Sequence, residues 1–184
     1  MFIQTETTPN PNTLKFLPGR EVLGQGRADF ADAETARRSP LATRLFGIEG
    51  VERVFLGEDF VTVGKGEAGD WTVLRPQLLA SIMDHFTAGE PVMTDTGAPV
   101  VASDAGEDSD IVVQIKELLD TRVRPSVAGD GGDIVFRGFE DGVVYLHMEG
   151  SCSGCPSSTA TLKYGIENML RYYVPEVTSV EAVD

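Results

Sequence analysis

The sequence contains few of the side chains that usually build a metal site within one chain. Its 184 residues include only two cysteines, two histidines and one tryptophan, and 15 Lys and Arg stand against 29 Asp and Glu. The resulting net charge of −14 argues against a general affinity for nucleic acid, because neutralising phosphates requires clustered basic side chains. Other proteins are therefore the expected partners.

Long apolar runs are also absent. No stretch of the sequence is long and apolar enough to span a bilayer, and Met1–Glu6 lacks the basic and apolar regions of a signal peptide. These features predict a cytoplasmic protein with no membrane partner. In that reducing compartment, two neighbouring cysteines are not expected to form a structural disulfide.

Residues 1–87 are predicted to form the first of two small α+β domains. Short apolar runs bounded by proline, glycine and asparagine indicate strands, and Ser39 is a suitable N-cap for a helix with Pro40 in its first turn. The expected elements are strands at Phe2–Glu6 and Thr13–Leu17, a short helix from Pro40, a hairpin of Val51–Leu56 and Phe60–Val63, and an amphipathic helix following Trp71 and reaching Phe86.

Residues 88–108 are rich in glycine, proline and acidic side chains, which predicts a flexible acidic linker.

The remaining residues, 109–184, are predicted to form an α-β-β-α-β domain with a three-stranded sheet and helices on one face. Its first helix, which includes Ile111 and Val123, is expected to stop at Pro125. The later elements are a hairpin of Ile134–Phe139 and Val143–Met148, a helix near Ser157–Tyr173 and a strand near Val177–Val183.

Both cysteines lie in one loop of this second domain. Cys152 and Cys155 form a C-x-x-C motif after a predicted strand, with Pro156 in the first turn of the helix that follows. Because a helix N-terminus offers unpaired N–H groups and a positive dipole end, both thiols are expected to ionise more readily than free cysteine. The small residues between them are expected to leave the site open to a partner.

The spacing of the sulfurs leaves three interpretations open. One C-x-x-C supplies two ligands of the four that zinc or an iron-sulfur cluster usually takes, and His85 and His147 are expected to have packing roles. A second copy of the chain would supply two more thiolates. Dithiol redox chemistry is the rival, since C-x-x-C at a helix N-terminus is typical of thioredoxin-like proteins. The third interpretation is that the motif does neither.

Several segments, in the same order, resemble a known family. Residues 124–182 closely resemble the NifU C-terminal-type domain of Nfu iron-sulfur scaffold proteins, and residues 1–87 resemble the N-terminal domain that accompanies it. The segments that carry the likeness are Arg124-Pro125, Asp130-Gly131-Gly132-Asp133-Ile134, Gly150-Ser151-Cys152-Ser153-Gly154-Cys155-Pro156-Ser157-Ser158 and Thr8-Pro9-Asn10-Pro11-Asn12-Thr13-Leu14-Lys15-Phe16. The Pro-Asn and Gly-Gly segments are also explained as turns without any ligand.

The resemblance implies a function that is not enzymatic. The chain would be an iron-sulfur cluster scaffold or carrier that holds a labile [4Fe-4S] cluster between two protomers, through Cys152 and Cys155 of each, and transfers it to apo-proteins. The implied partners are a second copy of the chain, apo iron-sulfur client proteins and upstream cluster-assembly proteins. A dithiol-disulfide oxidoreductase and a zinc-linked dimeric binding module are the alternatives.

Overall fold

The computed structural model describes residues 2–24, 26–94, 109–152 and 156–183. The chain divides into two compact units, Met1–Val101 and Ala102–Asp184, and each has its own hydrophobic core. Both units combine helices with a sheet, which confirms the α+β fold class. Among the described residues, no helix combines the length and the apolar content that a membrane crossing requires.

The first unit is built on a five-stranded antiparallel sheet of order β1-β2-β5-β4-β3. Its elements are β1 Gln4–Thr7, β2 Thr13–Leu17, β3 Ala28–Phe30, a 3-10 turn Thr35–Arg38, α1 Pro40–Phe46, β4 Val51–Leu56, β5 Val61–Lys65 and α2 Trp71–Ala88. The strands and helices expected from the sequence are all present. The short strand β3 was not predicted, because three residues are too few to show an alternating pattern.

Ser39 joins α1 to the segment that follows α2. Its hydroxyl accepts a hydrogen bond from the Ala42 N–H at 3.0 Å, which confirms it as the N-cap, and donates one to the Val92 carbonyl at 2.6 Å. The backbone N–H of Thr94 also donates to the Arg38 carbonyl. The beginning of the segment predicted as a flexible linker is therefore bound to the first unit, and its residues 95–108 lie outside the described part of the chain.

The second unit has a three-stranded sheet of order β6-β7-β8. Its elements are α3 Asp110–Leu118, a π-helical turn Leu119–Val123, α4 Arg124–Gly129, β6 Gly132–Glu140, β7 Val143–Gly150, α5 Pro156–Tyr173 and β8 Ser179–Val183. Strands β6 and β7 form the expected antiparallel hairpin around Asp141 and Gly142, which both have positive φ. Strand β8 pairs with β7 in parallel after the crossover through α5.

The predicted helix stop at Pro125 is wrong. After α3 the backbone makes a π-helical turn, and a new helix, α4, starts at Arg124 with Pro125 in its first turn. Proline is tolerated there because the first N–H groups of a helix have no partner within that helix. The chain therefore stays helical up to Gly129, immediately before the strand that contacts the cysteine loop.

Replacing Ser39 with alanine is expected to lower the free energy of unfolding of the first unit by about 1–3 kcal/mol, because the buried Ser39 hydroxyl supplies both a helix cap and a hydrogen bond to Val92. Urea unfolding followed by the fluorescence of Trp71, the single tryptophan, measures this. Asp70→Ala, which removes only the exposed cap of α2, is the matched control and should cost less. An equal or larger loss in the control would contradict the role given to Ser39.

Candidate functional site

Cys152 lies in the loop between the end of β7 and the start of α5, as the sequence predicted. Its side chain is only 6% exposed and belongs to the hydrophobic core of the second unit, together with Leu146 and Ile166. The expectation of an open site is therefore wrong for Cys152, since a loop position does not require an exposed side chain. Cys155, the second predicted ligand, lies outside the described residues.

Burial changes the chemistry of the Cys152 thiol. Removal from water raises its pKa from 9.0 to about 11, because the charged thiolate loses hydration. An interaction with the Ser151 side chain lowers the pKa in part, and the charges of Asp130 and Asp133 add to the increase. The prediction that this thiol ionises more readily than free cysteine is wrong, because desolvation outweighs the effect of the helix N-terminus.

Gly132, the first residue of β6, leaves the space that the Cys152 sulfur occupies. A Cβ atom added to Gly132 would lie 2.6 Å from the sulfur, 2.8 Å from the Glu149 carbonyl oxygen and 3.1 Å from the Cys152 nitrogen. These distances are shorter than van der Waals contact, so any larger side chain must displace the cysteine loop or the strand. Close backbone approach of this kind is a specific use of glycine.

Asp130 and Gly131 form the turn from α4 to β6, where the sequence predicted a turn over Asp130–Asp133, and they also hold the cysteine loop. Gly131 has a φ of 81°, and its carbonyl accepts from the Ser151 N–H at 3.2 Å. The Ser151 hydroxyl donates to the Asp130 carbonyl at 2.5 Å. These two bonds fix the residue immediately before Cys152.

Arg124 and Asp133 secure this turn from the side of α4. The guanidinium donates from Nε to Asp133 Oδ1 and from Nη2 to Oδ2, both at 3.0 Å, and Asp133 Oδ1 also accepts from the Ile134 N–H at 2.7 Å. A two-point bond of this type fixes both position and orientation. No function was predicted for Arg124 or Gly132. The sequence did contain a signal for this bond, because Asp133 directly follows Gly131-Gly132 and Arg124 precedes them.

Both histidines have the packing roles that were expected. His85 is fully buried in α2 of the first unit, and burial lowers its pKa. His147 lies on β7, where its Nδ1 is 3.2 Å from the Val183 carbonyl oxygen of the adjacent strand. Within the described ranges, no group of three or more His, Cys, Asp or Glu side chains is arranged to hold a metal ion.

In the described part of the site, the Cys152 sulfur is a soft ligand atom that is shielded from water. A thiol is a ligand for iron or zinc once it loses its proton. As the attacking group of a disulfide oxidoreductase, Cys152 would need an accessible sulfur with a lowered pKa, and it has neither property. The same burial means that the Cys152 sulfur must become accessible and lose its proton before it can bind a metal.

Two family models match the chain in the order of its two units. The first, described as scaffold protein Nfu/NifU N terminal, matches residues 3–89, and the second, the NifU-like domain, matches residues 115–181. The solution NMR structure of a NifU-like protein from Saccharomyces cerevisiae is 28% identical and covers 52% of this chain and 86% of that one, with a TM-score of 0.47.

Curated relatives match over the full 184 residues. Proteins named NFU1 iron-sulfur cluster scaffold homolog, mitochondrial, are 55% identical in Drosophila erecta and 54% identical in Homo sapiens. The chain covers 65% of the Drosophila relative and 72% of the human one. The two matched domains define the class as a two-domain scaffold protein, and the chain belongs to the Nfu/NifU family.

The same relatives contradict the predicted cytoplasmic location. Their names describe them as mitochondrial, which points to mitochondria rather than the cytoplasm. The prediction was drawn from the composition of the first residues, and the chain spans about two thirds of the length of the Drosophila relatives. The composition of the first residues carries too little information to assign a cellular compartment.

We expect Cys152 to react slowly with alkylating reagents in the metal-free protein. In a Cys155→Ser variant at pH 8, iodoacetamide should modify Cys152 about 100-fold more slowly than in the same variant unfolded in urea, because a pKa raised from 9.0 to about 11 lowers the thiolate fraction by that factor. Mass spectrometry of timed samples measures both rates. Equal rates in the folded and unfolded protein would show that the sulfur is not protected.

Gly132→Ala is expected to lower the free energy of unfolding of the second unit by about 1–3 kcal/mol, because the added methyl group overpacks the Cys152 sulfur. Denaturant unfolding followed by circular dichroism measures the loss. Gly138→Ala is the matched control on the same strand, since no heavy atom lies within 4 Å of its added Cβ. A loss no larger than that of the control would refute the close contact.

Proposed function

We propose that this chain is a scaffold and carrier of iron-sulfur clusters and not an enzyme. The observation that carries the proposal is similarity along the whole chain to relatives named as iron-sulfur cluster scaffolds, 54–55% identical over all 184 residues. Both domains of the family are matched, so the similarity is not limited to a shared cysteine motif. On this proposal the cluster is cargo that the chain receives and releases.

Cys152 and Cys155 are the proposed ligands. They are the only cysteines in the sequence, and clusters of this kind are held mainly by cysteine thiolates. A [4Fe-4S] cluster takes four such ligands, and one chain provides two. We therefore assign the cluster to a pair of chains, in which each protomer contributes its C-x-x-C loop across a symmetric contact.

Loading requires a change at Cys152. Its sulfur is packed against Gly132 inside the second unit, whereas a ligand shared between two chains must reach the surface. The side chain turns out of this pocket, and iron takes the place of the thiol proton, which is released. Part of the free energy of iron–sulfur bonding offsets the free energy lost when the Cys152 side chain leaves its buried position. The cluster is therefore bound less tightly than it would be by cysteines that are already exposed and ionised.

Delivery follows from this weaker binding. A thiolate of the acceptor displaces one cysteine ligand at a time, and each released Cys152 regains a proton and its buried position. Proposed partners are a second copy of the chain, upstream cluster-assembly proteins and apo iron-sulfur client proteins. The net charge of −14 supports protein partners and gives no basis for nucleic acid or anionic membrane binding.

Replacing either Cys152 or Cys155 with serine should reduce bound iron and sulfide to less than a tenth of the wild-type content after anaerobic reconstitution, because an alcohol is a poor ligand for iron. Iron and inorganic sulfide assays, normalised to protein, measure this. His147→Gln is the control and should retain the wild-type content, since His147 contacts Val183.

Retention of a full cluster by either serine variant would reject the ligand assignment. Zinc without sulfide in protein purified anaerobically would instead support a zinc-linked dimer.

Transfer of the cluster is tested with a metal-free acceptor enzyme whose activity requires a [4Fe-4S] cluster. The loaded protein should restore that activity faster than free iron and sulfide at the same concentration, and an equal rate would contradict the carrier role.

A further inference from the structure

A hydrogen bond joins Thr159, the fourth residue of α5, to the candidate ligand Cys152. The Thr159 hydroxyl donates to the Cys152 carbonyl oxygen at 3.0 Å, across seven residues of sequence. A threonine in a helical segment commonly donates to the carbonyl one turn earlier, as Thr121 does to Glu117 at 2.7 Å. The Thr159 bond instead leaves its own helix and connects α5 to the cysteine loop.

The other side of Cys152 is held by contacts that do not involve α5. The Ser151 hydroxyl donates to the Asp130 carbonyl, and the Ser151 N–H donates to the Gly131 carbonyl. Both acceptors belong to the turn between α4 and β6. Ser151 is thus anchored independently of Thr159, so breaking the Thr159 bond releases Cys152 without disturbing that turn.

Moving the Cys152 sulfur to the surface also moves the Cys152 carbonyl. The sulfur is part of a core that includes Leu146 and Ile166, and a closely packed interior leaves little space for one side chain to rotate alone. The backbone of Cys152 therefore moves with its sulfur, and Ser151 is the fixed point of this movement. The hydrogen bond from Thr159 opposes the movement because it must break.

We propose that Thr159 is a positioning residue whose hydroxyl holds Cys152 in its buried position and thereby sets how tightly a cluster is bound. This inference rests on the proposed function, in which Cys152 leaves its pocket to bind iron. A ligand that binds only the outward state of Cys152 is bound more weakly in proportion to the population of the buried state. The Thr159 hydroxyl therefore favours release of the cluster to an acceptor.

The first test measures the outward movement in the full chain without metal. Thr159→Val removes the hydroxyl and keeps the shape of the side chain. In a Cys155→Ser background, iodoacetamide should modify Cys152 about three- to tenfold faster after this change, which is the effect of losing one neutral hydrogen bond. Mass spectrometry of timed samples measures the rate.

Two matched variants separate the hydroxyl from other effects of the substitution. Thr159→Ser keeps the hydroxyl, so its rate of Cys152 modification should stay within about twofold of that of the background protein. Thr121→Val removes a threonine hydroxyl whose bond stays within its own helical segment, and it should leave the rate unchanged. Unchanged modification in Thr159→Val, or an equal increase in Thr121→Val, overturns the inference.

The second test uses the chain with both cysteines, loaded anaerobically with a cluster. Thr159→Val should lose iron to a chelator at least threefold more slowly than wild type, because a released Cys152 stays outward and rebinds. Thr159→Ser should behave as wild type. A purely structural role predicts the opposite sign, since a loosened loop would lose the cluster faster, and faster loss in Thr159→Val overturns the inference.

The outcomes also distinguish this inference from the proposed function. If wild type holds a cluster and Thr159→Val matches it in both tests, only the role of Thr159 is rejected. If wild type holds no cluster, the proposed function is rejected and the role of Thr159 in cluster binding with it. Should Thr159→Val misfold by circular dichroism, Thr159→Ala takes its place with the same expected results, and unchanged modification of Cys152 in that variant overturns the inference.

Discussion

The close contact between the Cys152 sulfur and Gly132 determines the arrangement of the rest of the site. Strand β6 and the cysteine loop approach so closely that no Cβ atom fits between them. The turn before β6 must therefore be held in place, which the positive φ of Gly131 and the two-point bond between Arg124 and Asp133 achieve. Residues far apart in sequence thus fix the position of one sulfur.

This contact also sets the condition under which the sulfur functions. A thiol enclosed in the core is poorly ionised and is shielded from oxidants. Under the proposed function, these properties preserve the Cys152 thiol between rounds of cluster binding. The same enclosure must open for a metal to reach the sulfur. The proposed carrier therefore combines a stable empty state with a loaded state that depends on a second chain, and release of the cluster returns the chain to the protected state.

Sequence patterns predicted the parts of the structure that depend on local chemistry. The cap at Ser39, the hairpin between β6 and β7 and the helix after the cysteines each follow from turn residues or helical periodicity. The sequence patterns gave wrong predictions where tertiary contacts determine the local structure or the burial of a side chain. Pro125 lies in the first turn of a new helix that begins at Arg124 after a π-helical turn, and Cys152 is buried because Gly132 on β6 leaves space for its sulfur. Neither cause is visible in the residues around those positions.

Native mass spectrometry of the anaerobically loaded wild-type protein shows whether two chains share one cluster, as we propose. One dominant species is expected, with the mass of two chains plus four iron and four sulfide ions. A single chain with an intact cluster would contradict it, because Cys152 and Cys155 provide only two thiolates. A metal-linked dimer without inorganic sulfide would contradict it as well.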